Sequence, residues 1–542
     1  MGFETKNGLK LFFVYPKFAI LYLMLDILIK KGTVVDGLGT PAYHADVAIK
    51  NGRIEKIGFL GEPGAETTID ATGLYVTPGF VDINNASDRY WTLFNHPNLE
   101  SHLYQGVTTI IGGNCGSSLA PLTTGNIILN IQKWADVSRI NVNWLTFREF
   151  FEETKKRRLL LNFGTLAGHS TLRRDIVNDE FRELNEKELS QIKELLTVSL
   201  KDGALGFSTG LNYSHVKMAP QEEIAGLISI LKQGQIYSTH LRNEGASLYE
   251  SVLETIEMAE KTQANVEISH FKAVGKNNWP LFDKSLEAIE RAAENLNINF
   301  DIYPYALTAT VFYTLLPDWI AVGGRSKLVE NLKNDDLKTK VVGELRGRED
   351  ELKDIIIASG NIDKIFIGKT ISEVAKNQNN NIAETIVNLL VAAEGKLVGF
   401  WPALSEENFI KGLKSPLSII ASDGAAYNIA DANNGFLAHP RSFGCFSRVL
   451  SRYVREKKII SIEEAIKKMT ALPALKAGLS YRGAISPNYF ADIAIFNPEL
   501  IKDMATFENP FQYSQGINSV IVNGRVALIN GQVGNRALGR IL

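Results

Sequence analysis

The chain has only two cysteines in 542 residues, Cys115 and Cys445, so no disulfide framework holds it and a reducing compartment suits it. Net charge is nearly absent: 58 Lys and Arg against 60 Asp and Glu leave -2, which gives no reason to expect a nucleic-acid or anionic-membrane partner. There is no internal repeat and no low-complexity tract, which excludes solenoids and disordered arrays. Long unbroken apolar runs are missing as well. The stretch 9–25 is interrupted by Lys10, Pro16 and Lys17, and it falls short of the roughly 20 residues that a spanning helix needs. No A-x-A-like cleavage triplet follows it. Met24 opens the next strand, so residues 1–24 read as an extension or as the product of a misassigned start codon, and the expected location is cytoplasmic.

What is present is an ordinary globular balance, 45% apolar and 22% charged, enough to bury a large core. From Asp26 to about Tyr75 short strands alternate with Asp36-Gly37 and Asn51-Gly52 turns, which are hairpin signals. Ala491–Phe496, Ser519–Gly524 and Leu528–Gly531 have the same grammar. The two ends, 25–78 and 479–542, are therefore expected to build one small β-sandwich domain. Between them, over 79–478, short apolar strands alternate with helical patterns, the signature of βα units and a parallel sheet. Eight strand candidates end near Asn84, Cys115, Ala167, Thr209, His240, His270, Tyr305 and Asp423. The expected fold is an α/β (β/α)8 barrel, with its active site where those strand ends converge. The segment from about 311 to 400 exceeds the needs of one βα unit and reads as a largely helical insert before the last strand.

Three strand ends carry soft or borderline metal ligands: Cys115, His240 and His270. A thiolate and two imidazoles make a zinc shell with an open fourth position, the catalytic rather than the structural arrangement. Each has a plainer reading alone, a small buried thiol or a structural histidine. His240 and His270 lie one βα unit apart, on consecutive strands, and that spacing favours the joint reading. Asp423 ends the last strand in Ser422-Asp423-Gly424; it is either an Asp-Gly turn or a carboxylate placed to carry a proton. Arg441, in His439-Pro440-Arg441, is either half of a surface ion pair or a bidentate clamp for a substrate carboxylate. Lys272 and Tyr303 are further candidates for holding a polar substrate.

Together these segments resemble the N-acyl-D-amino-acid deacylase (D-aminoacylase) family of the amidohydrolase superfamily. The resemblance rests on Val76-Thr-Pro-Gly-Phe-Val-Asp82, Gly113-Asn-Cys-Gly116, Gly203-Ala-Leu-Gly-Phe-Ser-Thr-Gly-Leu211, Thr239-His-Leu-Arg-Asn-Glu-Gly245, Ser269-His-Phe-Lys272, Asp301-Ile-Tyr-Pro-Tyr305 and Ser422-Asp-Gly424, in that order along the chain. It implies a barrel with a small β-sandwich and zinc-dependent hydrolysis of a small-molecule N-acyl-D-amino acid to the free D-amino acid and a carboxylate. Cys115, His240 and His270 would hold one tightly bound zinc, Asp423 would be the general acid/base, and Lys272, Tyr303 and Arg441 would contact the substrate carboxylate. The departures are as informative. The family's first-strand His-x-His falls on Asn84 and Ala86, so a second metal site is expected to be absent, and a family serine falls on Ala309. A non-catalytic relative that binds a ligand or partner is the alternative that this loss raises.

Overall fold

The computed structural model describes residues 24–123, 142–534 and 537–542; the 1–23 part of the extension lies outside them. Eight parallel strands run through the centre of the chain: Phe80–Asp82, Val107–Gly112, Asn162–Thr165 with its continuation Ala167–Gly168, Gly206–Gly210, Ile236–His240, Asn265–Ile268, Ile298–Ile302 and Ser418–Ile420. Neighbours pair in parallel around the ring, and the ring closes where Asn85 bridges Gly424. At that seam Asp423 N donates to Asn84 O at 2.9 Å and Ala86 N donates to Gly424 O at 2.8 Å. The first and last strands thus meet directly beside the C-terminal lip.

Close strand packing needs small residues at chosen points. A Cβ on Gly79 would lie 2.2 Å from Thr108, and one on Gly206 would lie 2.0 Å from the Ile236 carbonyl oxygen. The outer helices follow the expected patterns. Leu248–Thr262 buries Leu248, Val252, Thr255, Met258 and Ala259, a stripe at helical spacing. Glu186–Asp202 begins at a capping box in which Asn185 Oδ1 accepts from Glu188 N at 3.0 Å, and it stops at Gly203 in left-handed backbone.

Strands from both ends of the chain form one connected nine-stranded sheet in which Tyr75–Pro78 pairs antiparallel with Ile493–Phe496. Ile27, Ile29, Val47, Ile54, Ile493 and Ile521 pack within it. The insert is not helical throughout. Its helices, Gly324–Leu332, Asp335–Arg346, Ile371–Gln378 and Ile382–Ala392, pack on a three-stranded antiparallel sheet of Thr308–Val311, Leu397–Trp401 and Ile356–Gly360 around a core of their own. That sheet stands at the rim of the barrel and supplies wall to the cavity there. Among the described residues no helix is long and apolar enough to cross a membrane.

Candidate metal centre and catalytic cavity

A cavity of about 580 Å³ opens at the C-terminal end of the strands, and Cys115, His240, His270, Asp423 and Arg441 all line it. The ligand atoms of Cys115, His240 and His270 lie within 4.8 Å of one another, and all three residues are buried. Cys115 Sγ is 3.4 Å from His270 Nε2. Neither ring nitrogen of His240 makes a hydrogen bond, an expensive state for a buried imidazole unless another ligand completes it. Burial alone would raise the Cys115 thiol, but the neighbouring charges of Arg89 and His270 outweigh it and hold its pKa well below the usual value. A thiolate beside two imidazoles whose atoms converge fits a zinc ion, and the described residues contain no other such group.

The local backbone explains how the strand ends aim these groups. Cys115, His270 and Asp423 all have positive φ, at 52°, 39° and 45°. Each non-glycine residue in this region costs of order 1 kcal/mol or more, and all three line the cavity. The turn before Cys115 is fixed by Gly113, φ 72°, where a Cβ would lie 2.1 Å from the Leu166 carbonyl oxygen. Gly113 N donates to Asp88 Oδ2 at 2.6 Å, and Arg89 N donates to Asp88 Oδ1 at 2.7 Å. Asp88 therefore ties the chain after the first strand to the turn that carries Cys115.

Glu244 was not legible as a site residue, although it lies in the quoted Thr239–Gly245 segment. Its Oε1 is 3.0 Å from His270 Nδ1 and accepts from Lys272 Nζ at 2.5 Å; its Oε2 is 3.5 Å from His240 Nε2. A carboxylate on Nδ1 fixes the His270 ring so that Nε2 faces Cys115, the outer support that metal-binding histidines commonly use. Burial opposes the Glu244 charge, but Lys272, His240 and His270 prevail and hold its pKa far down.

Asp423 is half-buried between two guanidiniums. Its Oδ2 is 2.8 Å from Arg441 Nη1, and its Oδ1 is 3.6 Å from Arg89 Nη2. Burial raises its pKa, but Arg441, His270, Arg89 and Lys272 together pull it down to about 2. Arg441 also lies over the Tyr303 ring, 4.7 Å from its centroid, and its Nε has no hydrogen-bond partner. Tyr303 itself stands behind the main cavity, with its hydroxyl donating to Thr308 Oγ1 at 3.2 Å. Asn84 turns into the barrel, where Nδ2 donates to Asp301 Oδ2 at 3.0 Å; Ala86 and Ala309 line the cavity and offer no donor. Below the ligand set, burial and the neighbouring Glu267 raise the Asp301 carboxyl well above its usual range. Arg89 is the second residue that sequence reasoning missed, since Ser87-Asp88-Arg89-Tyr90 reads as an ordinary polar turn.

The comparisons with known proteins agree with this geometry. Residues 421–528 match the model of an amidohydrolase family. D-aminoacylase of Alcaligenes xylosoxydans xylosoxydans is 30% identical over 520 residues, spanning 95% of this chain and 98% of that protein. N-acyl-D-glutamate deacylase from Bordetella bronchiseptica, solved with zinc and a phosphonate mimic of the tetrahedral intermediate, superposes with a TM-score of 0.82 at 28% identity, covering 96% of this chain and 99% of that one. A D-aminoacylase structure, described as having a binuclear metal centre with one-metal activation and second-metal attenuation, gives 0.81 at 29% identity over 96% and 99% of the two chains. With the barrel, the buried Cys/His/His group and full-length similarity in hand, the chain belongs to the D-aminoacylase, or N-acyl-D-amino-acid deacylase, family of amidohydrolases.

Proposed function

We propose that this protein is a mononuclear zinc amidohydrolase that cleaves N-acyl-D-amino acids to a D-amino acid and a carboxylate. The observation that carries the reading is the convergence of Cys115, His240 and His270 in a cavity that the ionised Asp423 also lines. Cys115, His240 and His270 would hold the zinc, which supplies a Lewis acid and lowers the pKa of water at the site.

Asp423 does the proton work. Its carboxylate takes a proton from the attacking water and returns it to the amine nitrogen as the C–N bond breaks. Arg441 keeps Asp423 charged through the ion pair at Nη1, and its guanidinium, which lines the cavity, is the cation for the substrate carboxylate. Tyr303 holds the Arg441 guanidinium by stacking beneath it, and Lys272, anchored on Glu244, provides a second cation for the same carboxylate. Fixing the carboxylate, the scissile carbonyl and the amine at three points selects the hand of the α-carbon.

The test combines metal analysis with chiral amino-acid detection over a panel of N-acetyl-D- and N-acetyl-L-amino acids. About one zinc per chain and release from the D-substrates alone are expected, and Cys115→Ala loses both metal and hydrolysis. A wild-type protein with no zinc and no turnover would instead favour a ligand-binding barrel, the reading raised by Asn84 and Ala86.

A further inference from the structure

The cavity contains a cation that the hydrolytic reading does not use. Arg89 is 5% exposed and arrives on the turn after the first strand, three residues beyond Ala86, on the wall shared with Cys115 and Asp423. The seam bonds from Asp423 to Asn84 and from Ala86 to Gly424 hold this turn against the end of the last strand. The Asp88 bridge to Gly113 locks it to the Cys115 turn. A second divalent cation beside the Cys115 set would have to draw on the anionic groups there, Cys115 Sγ and the Asp423 carboxylate. Arg89 already stands there: its Nη2 is 3.6 Å from Asp423 Oδ1, and it lines the same cavity as Cys115.

Resting on the mononuclear zinc reading, we infer that Arg89 is a built-in replacement for a second metal ion, a fixed guanidinium that neutralises the Cys115 and Asp423 side of the cavity and keeps a second divalent cation out. The first strand then supplies charge where it no longer supplies ligands. A guanidinium cannot be chelated away and cannot deprotonate at working pH, so the site has one metal content at every zinc concentration. Asn84 fits this arrangement: its amide is spent on Asp301 rather than turned toward the cavity.

The experiment separates missing ligands from the resident cation. Wild type, R89M, N84H/A86H and N84H/A86H/R89M are equilibrated with increasing zinc, and bound metal per chain is counted by mass spectrometry, with the first tightly held zinc as the sign of an intact site. Wild type, R89M and N84H/A86H are expected to stop at one zinc, whereas the triple variant takes a second with affinity at least on the order of 100-fold higher than N84H/A86H shows. Two zinc ions in N84H/A86H with Arg89 still present would overturn the inference, and so would a single zinc in the triple variant. Absence of zinc from all four proteins would sink the zinc reading itself, and with it this one; a second zinc in N84H/A86H would leave the zinc reading standing.

Discussion

Asp423→Asn tests the heart of the mechanism, because it removes the proton carrier and keeps the shape. Loss of a positioned general acid/base costs about 100- to 10,000-fold in kcat, or roughly 2.7–5.5 kcal/mol of barrier. A second effect comes from the neighbours. Asp423 is the carboxylate set between Arg441 at 2.8 Å and Arg89 at 3.6 Å. Removing one member of a buried ion pair leaves uncompensated charge that costs about 3–5 kcal/mol, so the variant is also expected to unfold at a lower temperature. The zinc ligands are untouched. The assay therefore follows three quantities on one preparation: zinc per chain, melting temperature, and kcat for an N-acetyl-D-amino acid by chiral product analysis. Zinc near one, a lower melting temperature and kcat down at least 100-fold are expected. Turnover within tenfold of wild type, with zinc retained, would refute the assignment of Asp423 as proton carrier.

Two further outcomes follow from positions away from the ligands. Lys476, at the opposite end of the barrel, donates through Nζ to Val266 O at 3.0 Å, Asn297 O at 3.2 Å and Asn297 Oδ1 at 2.8 Å, and burial pushes its pKa down to about 7. A lysine whose folded pKa lies below its unfolded value of about 10.4 binds fewer protons folded than unfolded between those limits, so its contribution to stability grows as pH rises above 7 and is smallest below it. Urea unfolding of wild type and Lys476→Met at pH 7 and pH 9 should show the difference moving toward wild type by about 2–3 kcal/mol; an unchanged difference would contradict it. Gly113→Ala forces a Cβ against the Leu166 carbonyl oxygen in a left-handed turn, so the strand end carrying Cys115 must shift. The variant should fold less stably and bind zinc at least tenfold more weakly by chelator competition, and wild-type zinc affinity would show that the turn does not position Cys115.

The barrel was legible because each of its strands is a short apolar run with a polar group at its end, and because the helices between them repeat every three to four residues. The helix Leu248–Thr262 carries its buried residues at that spacing, and the ligand set is visible because cysteine and histidine are rare in this chain. The sheet of the insert was not visible. Thr308–Val311 and Leu397–Trp401 are only four and five residues long and pair across nearly ninety positions, and no local periodicity encodes such a partner. Glu244 and Arg89 escaped for a related reason. Charged residues on turns are normally solvated, and only the fold reveals that these two are enclosed among countercharges. The positive φ of Cys115, His270 and Asp423 is likewise a product of the closed ring, since none of the three has glycine's freedom.

The sheet made from both ends of the chain has a consequence for how the protein is made. The Thr77 hydroxyl meets the Ala494 carbonyl across a separation of 417 residues. At about 5–20 residues per second, a ribosome takes roughly 20–80 s to deliver the missing strand after the first has emerged. Throughout that interval the Tyr75–Pro78 edge has no native neighbour on the Ile493 side, and an open apolar edge invites pairing with other chains. The nascent barrel thus matures with its flank exposed, and the order of synthesis leaves that edge open until the C-terminal strands arrive.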